Sequence, residues 1–181
     1  MPFSEKDKIY SQKSTYGFSK YVNELQAEFY FKKFGINSIG LRFFTVYGEF
    51  GRPDMAYYNF AKNILLGKEI ILHNDGLMTR DMTYIEDIVK GIMNSIDKIQ
   101  TNNQEICKVF NLGKGDPVKT KDLLMMTEKL LNKKARVNYI NTDNEVMHTL
   151  SCNKIAGKYL DFKPKTTLND GLENFINWFL K

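Results

Sequence analysis

Cysteine is nearly missing. Cys107 and Cys152 are the only two in 181 residues, they form no Cys-x-x-Cys pair, and neither His73 nor His148 stands at a ligand-like spacing from them. No metal site and no disulfide framework are expected, and two isolated thiols fit a reducing, cytoplasmic setting. Arginine is scarce too, with four in the chain, although the formal charge is +5. The lysines never run longer than two, so the basic balance forms no stripe, and a nucleic-acid partner is not expected. No apolar run is long enough for a membrane span, and the opening MPFSEKDKIY is polar rather than a targeting segment. Repeats, linkers and low-complexity tracts are absent. What remains is 43% hydrophobic and 26% charged, an ordinary soluble composition with open room for small anionic ligands.

The hydrophobic pattern alternates between two periods. Residues 14–34 have helical composition with aromatic residues on more than one face, which predicts a long buried helix stopped by Gly35. NSIGLRFF at 37–44 reads as a strand, and TVYGEFGRPDM at 45–55 as a loop leaving its C-terminal end, where open α/β sheets bind ligands. A helix from Met55 to Leu66 should end at Gly67, followed by a short strand at 69–72 and a turn-rich loop, HNDGLMTRD, at 73–81. Ile85, Ile88, Val89, Ile92 and Ile96 mark an amphipathic helix over 84–99. KVFNLG and RVNYI read as strands at 108–113 and 136–140, with a helix between them capped by Thr120 and ending near Leu131. A last helix carries Leu168, Leu172, Phe175, Ile176 and Phe179 on one side, capped by Thr167. Strands and helices in alternation predict an α/β fold.

STYGFSK places Tyr16 and Lys20 one helical turn apart, where an ammonium favours the ionised phenol and so a base. Spacing alone does not select this pair, because it recurs at Tyr58/Lys62 and Tyr159/Lys163. Order and neighbours do. STYGFSK followed by NE, then LRFFTVYGEFGRPDM, MTRDMTYIEDIVKGI, FNLG and LDFKPKTTLNDGLENFINWF together resemble the extended short-chain dehydrogenase/reductases. Among these the chain looks most like the NAD-dependent nucleotide-sugar epimerases and dehydratases, and closest to UDP-glucuronate 4-epimerases. The resemblance follows family order over nearly the whole chain.

That resemblance implies roles residue by residue. Tyr16 matches the family's catalytic base, and Lys20 the lysine that binds the nicotinamide ribose of NAD and eases the tyrosine's ionisation. Thr45 matches a substrate-loop position that holds the sugar carboxylate in glucuronate-type enzymes, with a hydroxyl satisfied by its own loop as the alternative. Arg52 and Arg80 match positions beside the nucleotide diphosphate, where a guanidinium forks onto phosphate oxygens, with a surface ion pair as the alternative. His73 stands at a uridine-contacting position usually held by an aromatic residue. Asp81 is expected to orient Arg80, and Asp87 to favour the start of a helix.

The family's front half, a strand, a glycine-rich turn and a helix receiving the NAD pyrophosphate, has no counterpart in these residues, nor does the serine or threonine that assists the tyrosine. The resemblance therefore implies the C-terminal part of an extended Rossmann-like fold plus its small α/β substrate-binding domain. Residues 1–48 would be a remnant of the dinucleotide-binding domain. Residues 49–181 would be mainly substrate-binding, with some segments returning to the Rossmann sheet. A UDP-sugar substrate, a separate N-terminal half and a homodimer through residues 14–34 are the implied partners. Without the other half the chain is expected to be inactive. A non-catalytic nucleotide-sugar-binding module is the alternative, and a sugar-nucleotide dehydratase a more distant one.

Overall fold

Three small groups of strands, rather than one continuous sheet, organise the chain. The computed structural model describes residues 2–7, 14–101, 105–142 and 146–181, so part of the polar opening stretch lies outside it. Helix α1 (Thr15–Phe34) begins where the extended Ser14 accepts the Gly17 N–H on its hydroxyl, and ends where Gly35, at φ 66°, donates to the Phe31 carbonyl. After three residues strand β1 (Ser38–Phe43) runs back along it, and β1 pairs in parallel with β5 (Cys107–Leu112), Arg42 standing opposite Asn111.

α1 is not the buried helix its composition predicts. None of its residues is buried, and Tyr16, Phe18, Phe29, Tyr30 and Phe34 are all exposed. Its apolar residues are spread around the axis, so no single orientation could cover them against β1. Phe29, Tyr30 and Phe34 pack instead on one another, with ring centroids 5.7–6.4 Å apart.

The second group joins β2 (Thr45–Tyr47) in parallel to β4 (Thr79–Tyr84), and β4 in antiparallel to β6 (Pro117–Lys119). Two stretches expected as loops thus contain strand: 45–47 in the first, and 79–81 in the second, after a 3₁₀ turn at Asn74–Gly76. The miss at TRDMTY has a physical cause. Asp81 and Thr83 are fully buried, and their oxygens accept backbone N–H groups from Gly115, Ser151 and Lys114, so polar residues stand where a core strand would show apolar ones. The third group pairs β3 (Glu69–His73) with β7 (Arg136–Ile140) in parallel.

Helices α2 (Ala56–Leu66), α3 (Ile85–Thr101), α4 (Thr120–Leu131), α5 (Lys154–Leu160) and α6 (Leu168–Phe179) cover these strands. Gly67 ends α2 at φ 63°, and Thr167 caps α6 by accepting the Asp170 N–H, both as the sequence predicts. Thr120 is not a cap. It is the first residue of α4, and its hydroxyl donates to the Met78 carbonyl. The apolar stripe of α3 is narrower than its isoleucines imply, for Ile88 is buried while Val89 and Ile96 face solvent. Neither β6 nor α5 has a periodic signal in the sequence.

Two apolar clusters result. One packs α2, α4 and α6 against β2, β3 and β4 around Phe175, which touches the Tyr57, Tyr58, Trp178 and Phe179 rings. α6 approaches so closely that a Cβ on Gly171 would meet the Tyr47 ring at 2.8 Å. The other joins Ile88 of α3 to Phe110 and Leu112 of β5 and to Ala156 and Leu160 of α5. No helix among the described residues is long and apolar enough to cross a membrane.

Candidate active site

Between the ends of β2, β3 and β4 and the first turns of α2 lies a cleft of about 630 Å³. Thr45, His73 and Arg80 all line it, so three of the positions singled out in the sequence, far apart along the chain, meet at one cavity. Strand geometry explains this. Thr45 opens β2, His73 ends β3 and Arg80 lies near the start of β4.

Arg80 is half-buried, its Nη1 donating to the Val146 carbonyl at 2.6 Å and to the Thr79 carbonyl at 3.1 Å. These contacts aim the guanidinium from both the strand and the 146–150 segment. Asp81 has a different task from the expected one of orienting Arg80. Its carboxylate accepts the Gly115 N–H at 3.0 Å and the Ser151 N–H at 2.8 Å, fastening the β5–β6 connection and the segment before α5 to β4. Asp87 likewise accepts the N–H groups of Lys165 and Thr166 across the mouth of α6. The Nδ1 of His73 is buried with no hydrogen-bond partner.

Arg52 does not line this cleft. It sits on the exposed 48–55 loop in a two-point pair with Asp54, which does line it, and this pairing raises the guanidinium above its ordinary value, with the Tyr16 phenol a lesser contributor. Arg42 near the end of β1 holds Glu24 of α1, which brings the first half of α1 alongside the C-terminal end of β1; β2 follows, and the 48–55 loop leaves from its end. On α1, Tyr16 is 71% exposed, and the Lys20 Nζ lies 5.4 Å from its ring centroid. The candidate residues accordingly form two groups, a cleft triad and an exposed Tyr-Lys row, with the Arg52 loop reaching from one towards the other.

That loop is tightly held. The Tyr57 hydroxyl donates to the Gly48 carbonyl at 3.2 Å, and the Tyr84 hydroxyl lies 2.9 Å from both Glu49 carboxylate oxygens while accepting from Asn174. Gly51 stands so close to the Tyr57 hydroxyl, 1.6 Å from where a Cβ would lie, that no larger residue fits. Phe50 adopts φ 56°, a left-handed conformation costly for an aromatic residue, and rests its exposed ring 5.0 Å from Trp178. Burial, and then the Glu49 carboxylate, push the Tyr84 phenol up to about 12. An unfolded tyrosine releases its proton near pH 10, so between pH 10 and 12 the unfolded chain holds fewer protons than the folded one. The associated stability is complete below pH 10 and lost as pH rises through 12. Urea melts should show stability falling above pH 10 by about 1.4 kcal/mol per pH unit from this group, and Tyr84→Phe should remove that part of the slope.

The cleft also has lining that sequence reasoning missed. Asn59 and Asn63, joined by a 2.6 Å hydrogen bond at i, i+4 on α2, and Glu69 at the start of β3 supply its polar wall. The asparagine spacing in YYNFAKN was the available signal.

Towards a dinucleotide, Lys20 and Tyr16 offer an ammonium and a phenol in one exposed row, while no glycine-rich pyrophosphate turn occurs among the described residues.

An uncharacterized protein of Methanocaldococcus jannaschii is 48% identical over 100% of this chain and 54% of its own length. UDP-glucuronate 4-epimerase 4 of Arabidopsis thaliana is 41% identical over 99% of this chain and 44% of its own length. Among solved structures, the UDP-glucuronic acid 4-epimerase of Bacillus cereus, in complex with UDP-glucuronic acid and NAD, superposes with a TM-score of 0.89 at 31% identity, over 99% of this chain and 56% of that one. The chain spans about half the length of the curated relatives it matches. The model of the NAD dependent epimerase/dehydratase family matches residues 1–113, from before the Tyr-Lys helix to the end of FNLG. The α/β architecture, the order of the motifs and this match agree, and the chain belongs to the NAD dependent epimerase/dehydratase family.

Proposed function

We propose that this chain forms the Tyr-Lys and substrate-binding portion of an NAD-dependent UDP-sugar 4-epimerase of the UDP-glucuronate type. The observation that carries this reading is the convergence of Thr45, His73 and Arg80 on one cleft, with Tyr16 and Lys20 together in one exposed row on α1. Arg80 offers a partly desolvated cation for the diphosphate, and Thr45 a hydroxyl for the sugar carboxylate. His73 presents a flat ring for the uracil. Arg52 reaches the diphosphate by exchanging Asp54 for phosphate oxygens.

In the reaction, Tyr16 takes the proton of the sugar 4-hydroxyl and returns it after the 4-keto sugar has turned over, while the Lys20 ammonium stabilises the phenolate. Tyr16 and Lys20 would hold the nicotinamide end of NAD, which would supply reversible hydride acceptance at the sugar C4. Residues 1–48 belong with the dinucleotide-binding unit and residues 49–181 mainly with the sugar nucleotide. A glycine-rich dinucleotide-binding half completes the site against β1 and α1, and the exposed aromatic residues of α1 supply a homodimer face. Without that half the same residues bind the sugar nucleotide without hydride chemistry.

Calorimetry on the purified chain tests the substrate part. UDP-glucuronate should bind more tightly than UDP-galactose, Arg80→Met should weaken it by about tenfold or more, and Thr45→Val should erase the preference between the two sugars. NAD should not bind the chain alone. Equal affinity for both sugars in the unmodified chain would refute the glucuronate assignment.

A further inference from the structure

α1 poses a mechanical problem. It carries the Tyr-Lys row yet has no fully buried residue, so the half-buried Tyr21, Val22, Ala27 and Phe31 give it only partial apolar packing. Among the described residues, one hydrogen-bonded side-chain pair ties it to the strands. Arg42, on β1, donates from Nε to one carboxylate oxygen of Glu24 at 2.7 Å and from Nη2 to the other at 2.8 Å, with both side chains three-quarters buried. Tyr16, Lys20 and Glu24 lie at i, i+4 and i+8, so the side of the helix that points Glu24 at the strand sets where the other two point.

The residue opposite Arg42 on β5 holds a second segment. That residue, Asn111, donates its backbone N–H to Glu5 at 3.0 Å and its side-chain amide to the Phe3 carbonyl at 3.0 Å. Glu24 first, and then Glu5 and Asp7 at longer range, raise the Arg42 guanidinium above its ordinary value against the opposing effect of burial. The Arg42–Asn111 strand pair thus stands between α1, held by Arg42, and residues 3–5, held by Asn111.

We propose that Arg42 is a positioning residue, a latch whose two-point grip on Glu24 docks α1 and so fixes Tyr16 and Lys20 at the end of β1. It also occupies a carboxylate that stands one turn from Lys20 and would otherwise compete for its ammonium. What the latch serves rests on the proposed roles of Tyr16 and Lys20; whether it exists does not.

Amide hydrogen exchange on the ligand-free chain tests it. Arg42→Met and Glu24→Gln should each speed exchange across residues 15–34 by about tenfold, with the amides of α2, α4 and α6 unchanged, and the swapped double variant Arg42→Glu/Glu24→Arg should restore most of the protection. Unchanged exchange in α1, a rise of equal size in the core helices, or no recovery in the swapped pair would each overturn the latch. UDP-glucuronate calorimetry on the same variants keeps the two ideas apart. Failure of the unmodified chain to bind the sugar nucleotide defeats the proposed function alone, because the exchange experiment contains no ligand.

Discussion

Tyr16→Phe, in this chain joined to a polypeptide that supplies the dinucleotide half, should lower epimerisation by about a thousandfold and leave UDP-glucuronate affinity within about twofold. The substitution removes a single oxygen from a ring that is 71% exposed, and the phenol has no hydrogen-bond partner among the described residues. Folding should not notice it. Thr45, His73 and Arg80 belong to β2, β3 and β4, so the affinity proposed for them does not depend on a hydroxyl on α1. A loss confined to the rate is what a proton-transfer group produces. Proton NMR of the two epimers over time measures the rate and calorimetry the affinity. A rate loss below tenfold would remove Tyr16 from the role of base, and a parallel loss of affinity would make it a binding residue.

The second large effect concerns stability. Asp81→Ala should destabilise the fold by about 3–5 kcal/mol in urea titration, a large share of the roughly 5–15 kcal/mol that holds a domain together. The carboxylate is wholly buried and accepts the N–H groups of Gly115 and Ser151, so truncation strands two buried donors from different segments. Ser151 already has a buried hydroxyl without a partner, and a Cβ on Gly113 would meet the Asp81 carboxylate at 2.8 Å, so the region is too tight for easy rearrangement. Asp81→Asn keeps one acceptor oxygen and should cost less. Because the 146–150 segment also supplies the carbonyl that aims Arg80, the Ala variant should lose sugar-nucleotide affinity before it unfolds.

What was legible in the sequence follows from how each element is stabilised. α6 and α2 were readable because an apolar stripe, a threonine cap or a left-handed glycine is written locally. β7 was readable from alternation. β4 was half hidden, since Asp81 and Thr83 are buried by hydrogen bonds to residues more than thirty positions away, and no local pattern encodes those partners. α1 was recognised as a helix, but its burial was misjudged from aromatic content, which cannot say whether anything lies against it. Thr45, His73 and Arg80 were singled out by resemblance to a family, and their meeting in one cleft depends on strand ends that spacing does not reveal. Arg42 carried no signal beyond its place inside an apolar strand.

The strand pairings carry a consequence for how the chain reaches this state. Residue 38 must find 107, residue 69 must find 136, and even the antiparallel pair joins 79 to 119. Among the described residues no hairpin offers a fast local start, so loop-closure entropy opposes every sheet contact before it is rewarded. The helices should form first, and β1 and β3 should wait unpaired until the distant strand arrives. Refolding on the slow side for its size, with yield falling as protein concentration rises, is the kinetic signature this topology demands.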